Sequence, residues 1–62
     1  MSLKKMRNKA KLSQSQLAVQ SRVSLYTIRA YEQGKRPLED ASYRTLKTLA
    51  NVLGCQISDI VD

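Results

Sequence analysis

Lys4, Lys5, Arg7, Lys9, Lys11, Arg22, Arg29, Lys35 and Arg36 stand against one acid, Glu32, across residues 1–36. That imbalance is the most visible chemistry of the chain. Ammonium and guanidinium groups gathered in this way bind a polyanion, because each phosphate they neutralise releases condensed counterions. Residues 37–62 reverse the balance, with Arg44 and Lys47 against Glu39, Asp40, Asp59 and Asp62, so the two parts carry +8 and −2. One end of the molecule is thereby suited to a polyanion. Charge alone fits a solvated basic surface equally well, and a second signal is needed.

Catalysis lacks its usual parts. Histidine, the commonest metal ligand and general base, is absent, and no acidic pair has helical metal-binding spacing. The one cysteine, Cys55, has no evident activator and can form neither an internal disulfide nor a multi-cysteine metal site. A chain of 62 residues also leaves no room for an enzyme's pocket and its support. No enzyme, metal, cofactor or small-molecule ligand is therefore expected. No apolar run approaches the roughly 20 residues that span a bilayer, and the N-terminus has no hydrophobic signal core. Neither a membrane partner nor secretion is expected, and the lone cysteine suits the reducing cytoplasm.

The elements that must position these charges read as an all-α fold, a compact bundle of about five short helices forming one domain over residues 1–62. A domain of this size buries only about 60% of its unfolded surface, so marginal stability is expected. Leu3, Met6, Arg7 and Ala10, at three- and four-residue spacing, mark the inner side of a first helix over residues 3–11. A second is expected over 14–21, opened by a capping box of Ser13 and Gln16. Ser24 repeats the capping signal before a third helix over 25–33, and Gly34 suits a left-handed end. Pro37 makes residues 35–41 a loop. A fourth helix begins near Ser42 with the stripe Leu46, Leu49, Ala50 and Leu53, and ends at Gly54; a fifth covers 57–61. The five-helix run is expected to be a complete chain.

Residues 14–33 carry the second signal. Leu17, Ala18, Ser21, Val23, Ile28 and Tyr31 place small or apolar side chains where two steeply crossing helices touch, with about three residues between the helices. This is the pattern of a helix-turn-helix, whose second helix enters the major groove of DNA.

Over nearly its whole length the chain resembles the phage repressor and Cro type of helix-turn-helix, the Xre-like family, with a lambda-repressor-like DNA-binding domain. The resemblance rests on an ordered set: Leu12-Ser13-Gln14, Gln16-Leu17-Ala18, Val23-Ser24, Ile28 and Tyr31-Glu32-Gln33-Gly34-Lys35-Arg36, then Leu46, Leu49-Ala50 and Leu53-Gly54. Two positions depart from it. Arg22 stands where the family usually has glycine, at a conformational cost on the order of 1 kcal/mol if the turn is left-handed. Gln56 stands where a better capping residue is expected.

The resemblance implies that Leu25, Tyr26, Arg29 and Ala30 read bases. Arg29 suits a two-bonded contact to guanine, with a phosphate contact or an idle surface charge as its rival role. Tyr26, aromatic at a helix start without a core role, suits a thymine methyl or a phosphate. Leu25 and Ala30 suit thymine methyls, with packing across the turn the rival role for Leu25. Gln14 is implied to bind phosphate, helped by the amides of a helix N-terminus. Ser24, Thr27 and Gln33 can add polar contacts to the backbone, and Lys35 and Arg36 should reach flanking phosphates. Ser24 has its capping role as a competing use, and Arg7 and Lys11 are weaker phosphate candidates. Tyr31 is expected in the core. Glu32 is expected in an ion pair with Arg7 or Arg22, and the resemblance favours Arg7 as a structural link between the first and third helices.

These readings predict a DNA-binding transcriptional regulator of bacterial or phage origin, most simply a repressor. The expected partner is double-stranded DNA with a palindromic operator, bound by a homodimer that forms at least on DNA. Tyr43, Val52, Cys55, Ile57 and Val61 are the candidates for the dimer contact, with ordinary closure of the core as their competing role. The alternative is a protein-interaction module of the same fold, such as an antitoxin subunit or adaptor.

Overall fold

Serine opens most of the helices. In the computed structural model, which describes residues 2–61, the Oγ atoms of Ser2, Ser13, Ser24 and Ser42 accept the amides of Lys5, Gln16, Tyr26 and Thr45 at 3.0–3.2 Å. Each such cap satisfies an orphan amide and is worth about 1 kcal/mol. At Ser13 the bond is reciprocated, Gln16 Oε1 accepting the Ser13 amide at 2.8 Å. The helices are α1 (Leu3–Lys9), α2 (Gln14–Ser21), α3 (Leu25–Glu32), α4 (Tyr43–Leu53) and α5 (Ile57–Ile60). The described residues form no strand.

A left-handed residue follows each helix from α1 to α4. Lys11, Arg22, Gly34 and Gly54 have φ of 60°, 59°, 76° and 68°. After α1 the amides of Lys11 and Leu12 close on the carbonyls of Asn8 and Arg7 at 3.0 and 3.2 Å. After α3 the amides of Gly34 and Lys35 close on Tyr31 and Ala30 at 3.3 and 2.9 Å. This reversed pairing satisfies carbonyls that a helix end leaves open. The α2–α3 turn is held differently. Buried Ser21 donates its hydroxyl to the Leu17 carbonyl at 2.6 Å and accepts the Val23 amide at 3.3 Å, while the Arg22 side chain is exposed.

Several boundaries differ from expectation. α1 stops at Lys9, two residues short of Lys11, because Lys11 turns left-handed; Ala10, expected on the inner side, is exposed. α3 ends at Glu32, with Gln33 as its cap, and α5 ends at Ile60, with Val61 extended. Residues 35–41 are not wholly loop, since Leu38–Asp40 forms a single 3-10 turn that buries Leu38. Gln56 lacks a favourable capping side chain, but the Asp59 carboxylate accepts its amide at 3.0 Å.

One core joins the helices. Leu17, Ile28 and Leu49, one each from α2, α3 and α4, are fully buried. Leu3, Met6, Leu38, Ala50, Leu53 and Ile60 surround them, and Tyr31 packs against the cluster from the rim. α2 packs on α3 and α4, while α1 packs on α5 and α3. The amphipathic stripe of α4 thus closes the core against α2 and α5. Val52, Cys55, Ile57 and Val61 are partly buried against this cluster, leaving Tyr43, at 68% exposure, the open member of the expected dimer set.

The left-handed turn generates a stability prediction. Arg22→Gly relieves a side chain at φ 59° and should raise stability by about 0.5–1 kcal/mol. Gly54→Ala should lower it by about 1 kcal/mol for conformational reasons alone, because an added Cβ would meet nothing within 4 Å. Thermal melts of both variants check the signs. An Arg22→Gly protein that melts lower than the parent would show that the side chain, not the backbone, decides the turn.

Candidate nucleic-acid interface

The site begins with a charge pair inside the protein. Arg7, on α1, donates from Nε to Glu32 Oε2 at 2.7 Å and from a terminal nitrogen to Oε1 at 2.9 Å. Its other terminal nitrogen donates to the Leu12 carbonyl at 2.8 Å. The side chains are only 10% and 3% exposed, so both charges have left water and rely on each other. A planar guanidinium is the group that can serve two carboxylate oxygens and a carbonyl at once. Burial pushes the Glu32 carboxyl upward, but bonds from Arg7 and Gln14 and the charges of Arg7 and Lys4 outweigh it, and the carboxyl lies below its ordinary range. The bond to Glu32 holds the Arg7 guanidinium above its ordinary value.

From this pair the hydrogen bonds run outward. Gln14, at the start of α2, donates from Nε2 to Glu32 Oε1 at 3.1 Å. Its Oε1 accepts from Arg29 Nε at 3.4 Å. Arg7, Glu32, Gln14 and Arg29 therefore form one chain of contacts from the inside of α1 to the outside of α3. Arg22, the alternative partner for Glu32, is instead exposed at the turn.

α3 divides cleanly. Ile28 is fully buried and Tyr31 packs on the core, which leaves the other side open. Tyr26 is 80% exposed and Arg29 is exposed, while Leu25, Thr27 and Ala30 are half-buried. Ser24 is exposed but its Oγ accepts the Tyr26 amide, so capping uses one of its lone pairs. Gln33, Lys35 and Arg36 are exposed beyond the helix, and the Arg36 guanidinium lies over the Tyr31 ring, 5.4 Å from its centroid. That cation–π contact aims a long side chain that would otherwise be free.

The interface thus presents a fork-shaped donor, an aromatic hydroxyl and flanking cations on a helix fixed by its opposite side. Such a surface can donate hydrogen bonds to base edges and phosphates. Of the nine basic residues in positions 1–36, Arg7 is the one that is buried, and the other eight face solvent. Burial and the nearby Asp59 charge push the Cys55 thiol up, away from the reactive thiolate. Among the described residues, no group of three or more acids, histidines or cysteines is placed to hold a metal, and no helix is long and apolar enough to cross a membrane.

Two contacts escape sequence reading. Ser21 holds the turn from within, and its position before Arg22 is the one available signal. The bond between Gln14 and Arg29 joins residues on two helices through a crossing geometry that residue types do not encode.

A family model described as helix-turn-helix matches residues 3–60. No curated protein and no solved structure matches the chain.

The buried pair has a pH consequence. Because the folded Glu32 carboxyl lies below its ordinary value, its stabilisation is present above that value and lost as pH falls through the folded one. Arg7 stays charged throughout this window. Glu32→Gln should cost about 3 kcal/mol at neutral pH by leaving Arg7 buried without a counter-charge. Melting temperatures from pH 7 to 3 should fall further for the parent than for Glu32→Gln, so the two curves converge in acid. Parallel curves would remove Glu32 from the acid response.

Proposed function

The chain belongs to the Xre/Cro/C1-type helix-turn-helix family of DNA-binding regulators, and on that premise we propose that it is a sequence-specific transcriptional repressor. α3 enters the major groove and reads bases with Leu25, Tyr26, Arg29 and Ala30. Gln14, Ser24, Thr27, Gln33, Lys35 and Arg36 hold the phosphate backbone on either side. The observation that carries this reading is the exposed pair Tyr26 and Arg29 on a helix whose opposite face is locked into the core. An aromatic ring left 80% in water on a short helix lacks a packing role and has the shape to meet a thymine methyl or a phosphate.

Residues 1–62 act as one DNA-binding domain in this reading. Repression follows from occupancy, since a small protein seated on a promoter excludes polymerase. Two copies bind a palindromic operator as a homodimer, with half-sites about one helical turn, roughly 10 base pairs, apart. Tyr43 is the exposed aromatic beside which such a pairing would form. A cytoplasmic location follows from the DNA target.

Selection of bound duplexes from a random pool, followed by titration of the winner against scrambled DNA at two salt concentrations, tests the reading. The winner should bind at least about a hundredfold more tightly than the scramble. Tyr26→Ala and Arg29→Ala should each remove about 1–3 kcal/mol of that margin. Lys35→Ala and Arg36→Ala should weaken both duplexes alike and flatten the salt dependence by about one phosphate contact each. Equal, steeply salt-dependent binding to both duplexes would reduce the basic face to an electrostatic anchor and turn attention to a protein partner.

A further inference from the structure

Gln14 faces two neighbours with opposite demands. The Glu32 carboxylate, ionised and bound by Arg7, can only accept a hydrogen bond, so the Gln14 amide must turn its Nε2 toward it, as it does at 3.1 Å. That orientation leaves Oε1 facing α3. Oε1 can only accept, and Arg29 supplies a donor to it from Nε at 3.4 Å. The buried pair thereby dictates which end of a surface amide faces the helix expected to read DNA.

From this we infer that Gln14 is a positioning residue for specificity, which presets the Arg29 guanidinium for one base. The inference rests on the base-reading role proposed for Arg29. Nε of Arg29 is used internally, and the two terminal nitrogens remain as a fork free of any protein hydrogen bond among the described residues. A fork of this kind matches two acceptors on one base edge, as guanine O6 and N7 provide, and does not match the acceptor-and-donor edge of adenine. An arginine whose Nε is already held loses less side-chain freedom on binding, so the bond acts on discrimination rather than on general attraction. The chain from Arg7 through Glu32 and Gln14 extends the order of the core to an exposed side chain.

The phosphate contact proposed for Gln14 accounts for a loss shared by every sequence, so the positioning role is read from discrimination, the ratio between duplexes, in which a shared loss cancels. The test uses the full chain and duplexes in which each base of the selected site is replaced in turn, with parent, Arg29→Ala, Gln14→Met and the double variant titrated on each. Methionine keeps the length of the side chain and removes both amide bonds. Melting temperatures of the four proteins verify that all are folded at the temperature of titration, and Gln14→Ala provides a second removal if methionine repacks. At the guanine whose preference Arg29→Ala abolishes, Gln14→Met should reduce discrimination by about fivefold or more. Binding to scrambled DNA should register only the shared loss of the phosphate contact, and Gln14→Met should remove no further discrimination at that base in the Arg29→Ala background, because the effect passes through Arg29. Two results overturn the inference alone: guanine discrimination retained in both Gln14 variants, or an equal loss on specific and scrambled duplexes. If Arg29→Ala leaves discrimination at every base intact, the base-reading role itself fails and the inference fails with it.

Discussion

The buried pair of Arg7 and Glu32 is the constraint on which the rest of this structure depends. Two full charges have been taken into a small interior, and neither can leave without stranding the other. Arg7 therefore ties α1 to α3 while also satisfying the Leu12 carbonyl in the segment that leads into α2. The three helices that build the candidate interface are referenced to one guanidinium. Apolar contacts among Leu17, Ile28 and Leu49 supply cohesion, but such contacts tolerate sliding; the ion pair does not, because its geometry is directional.

Charge is sorted as a result. The single acid of residues 1–36 is consumed inside the protein, and its partner is the single basic residue of that stretch removed from solvent. Every other cation there is left outward, unopposed by a local acid. The same act that fixes the fold thus leaves the surface with its full attraction for a polyanion. Left-handed residues at Lys11, Arg22, Gly34 and Gly54 then set how sharply each helix gives way to the next, which lets a short chain expose one face of α3 while burying the other.

Much of this was legible in the residues. Ser13 and Gln16 announce the start of α2, because a capping box is a local device fixed by spacing, and both of its bonds are present. The stripe on α4 and the stop at Gly54 follow the same local logic. Lys11 was illegible as a helix end because nothing in a lysine signals positive φ; the cost is met by the two bonds that close on Arg7 and Asn8. Leu38 was hidden behind Pro37, whose loop signal is correct for the backbone yet says nothing about whether the next side chain reaches the core. Glu32 could be marked for an ion pair by its isolation among cations, whereas the choice of Arg7 over Arg22 depends on which helix faces inward. The link from Gln14 to Arg29 depends on the crossing of α2 and α3, a property of packing rather than of local sequence.

The proposed DNA-binding surface is the outer face of α3, held by the core beneath it. The most direct measurement is an NMR titration of the 15N-labelled chain with a duplex selected from a random pool. The largest shifts are expected at the amides of Leu25, Tyr26, Arg29 and Ala30, at Arg29 Nε–H and at the start of α2, with α5 nearly unchanged. Shifts concentrated on α1 or α4, with α3 silent, would contradict this assignment.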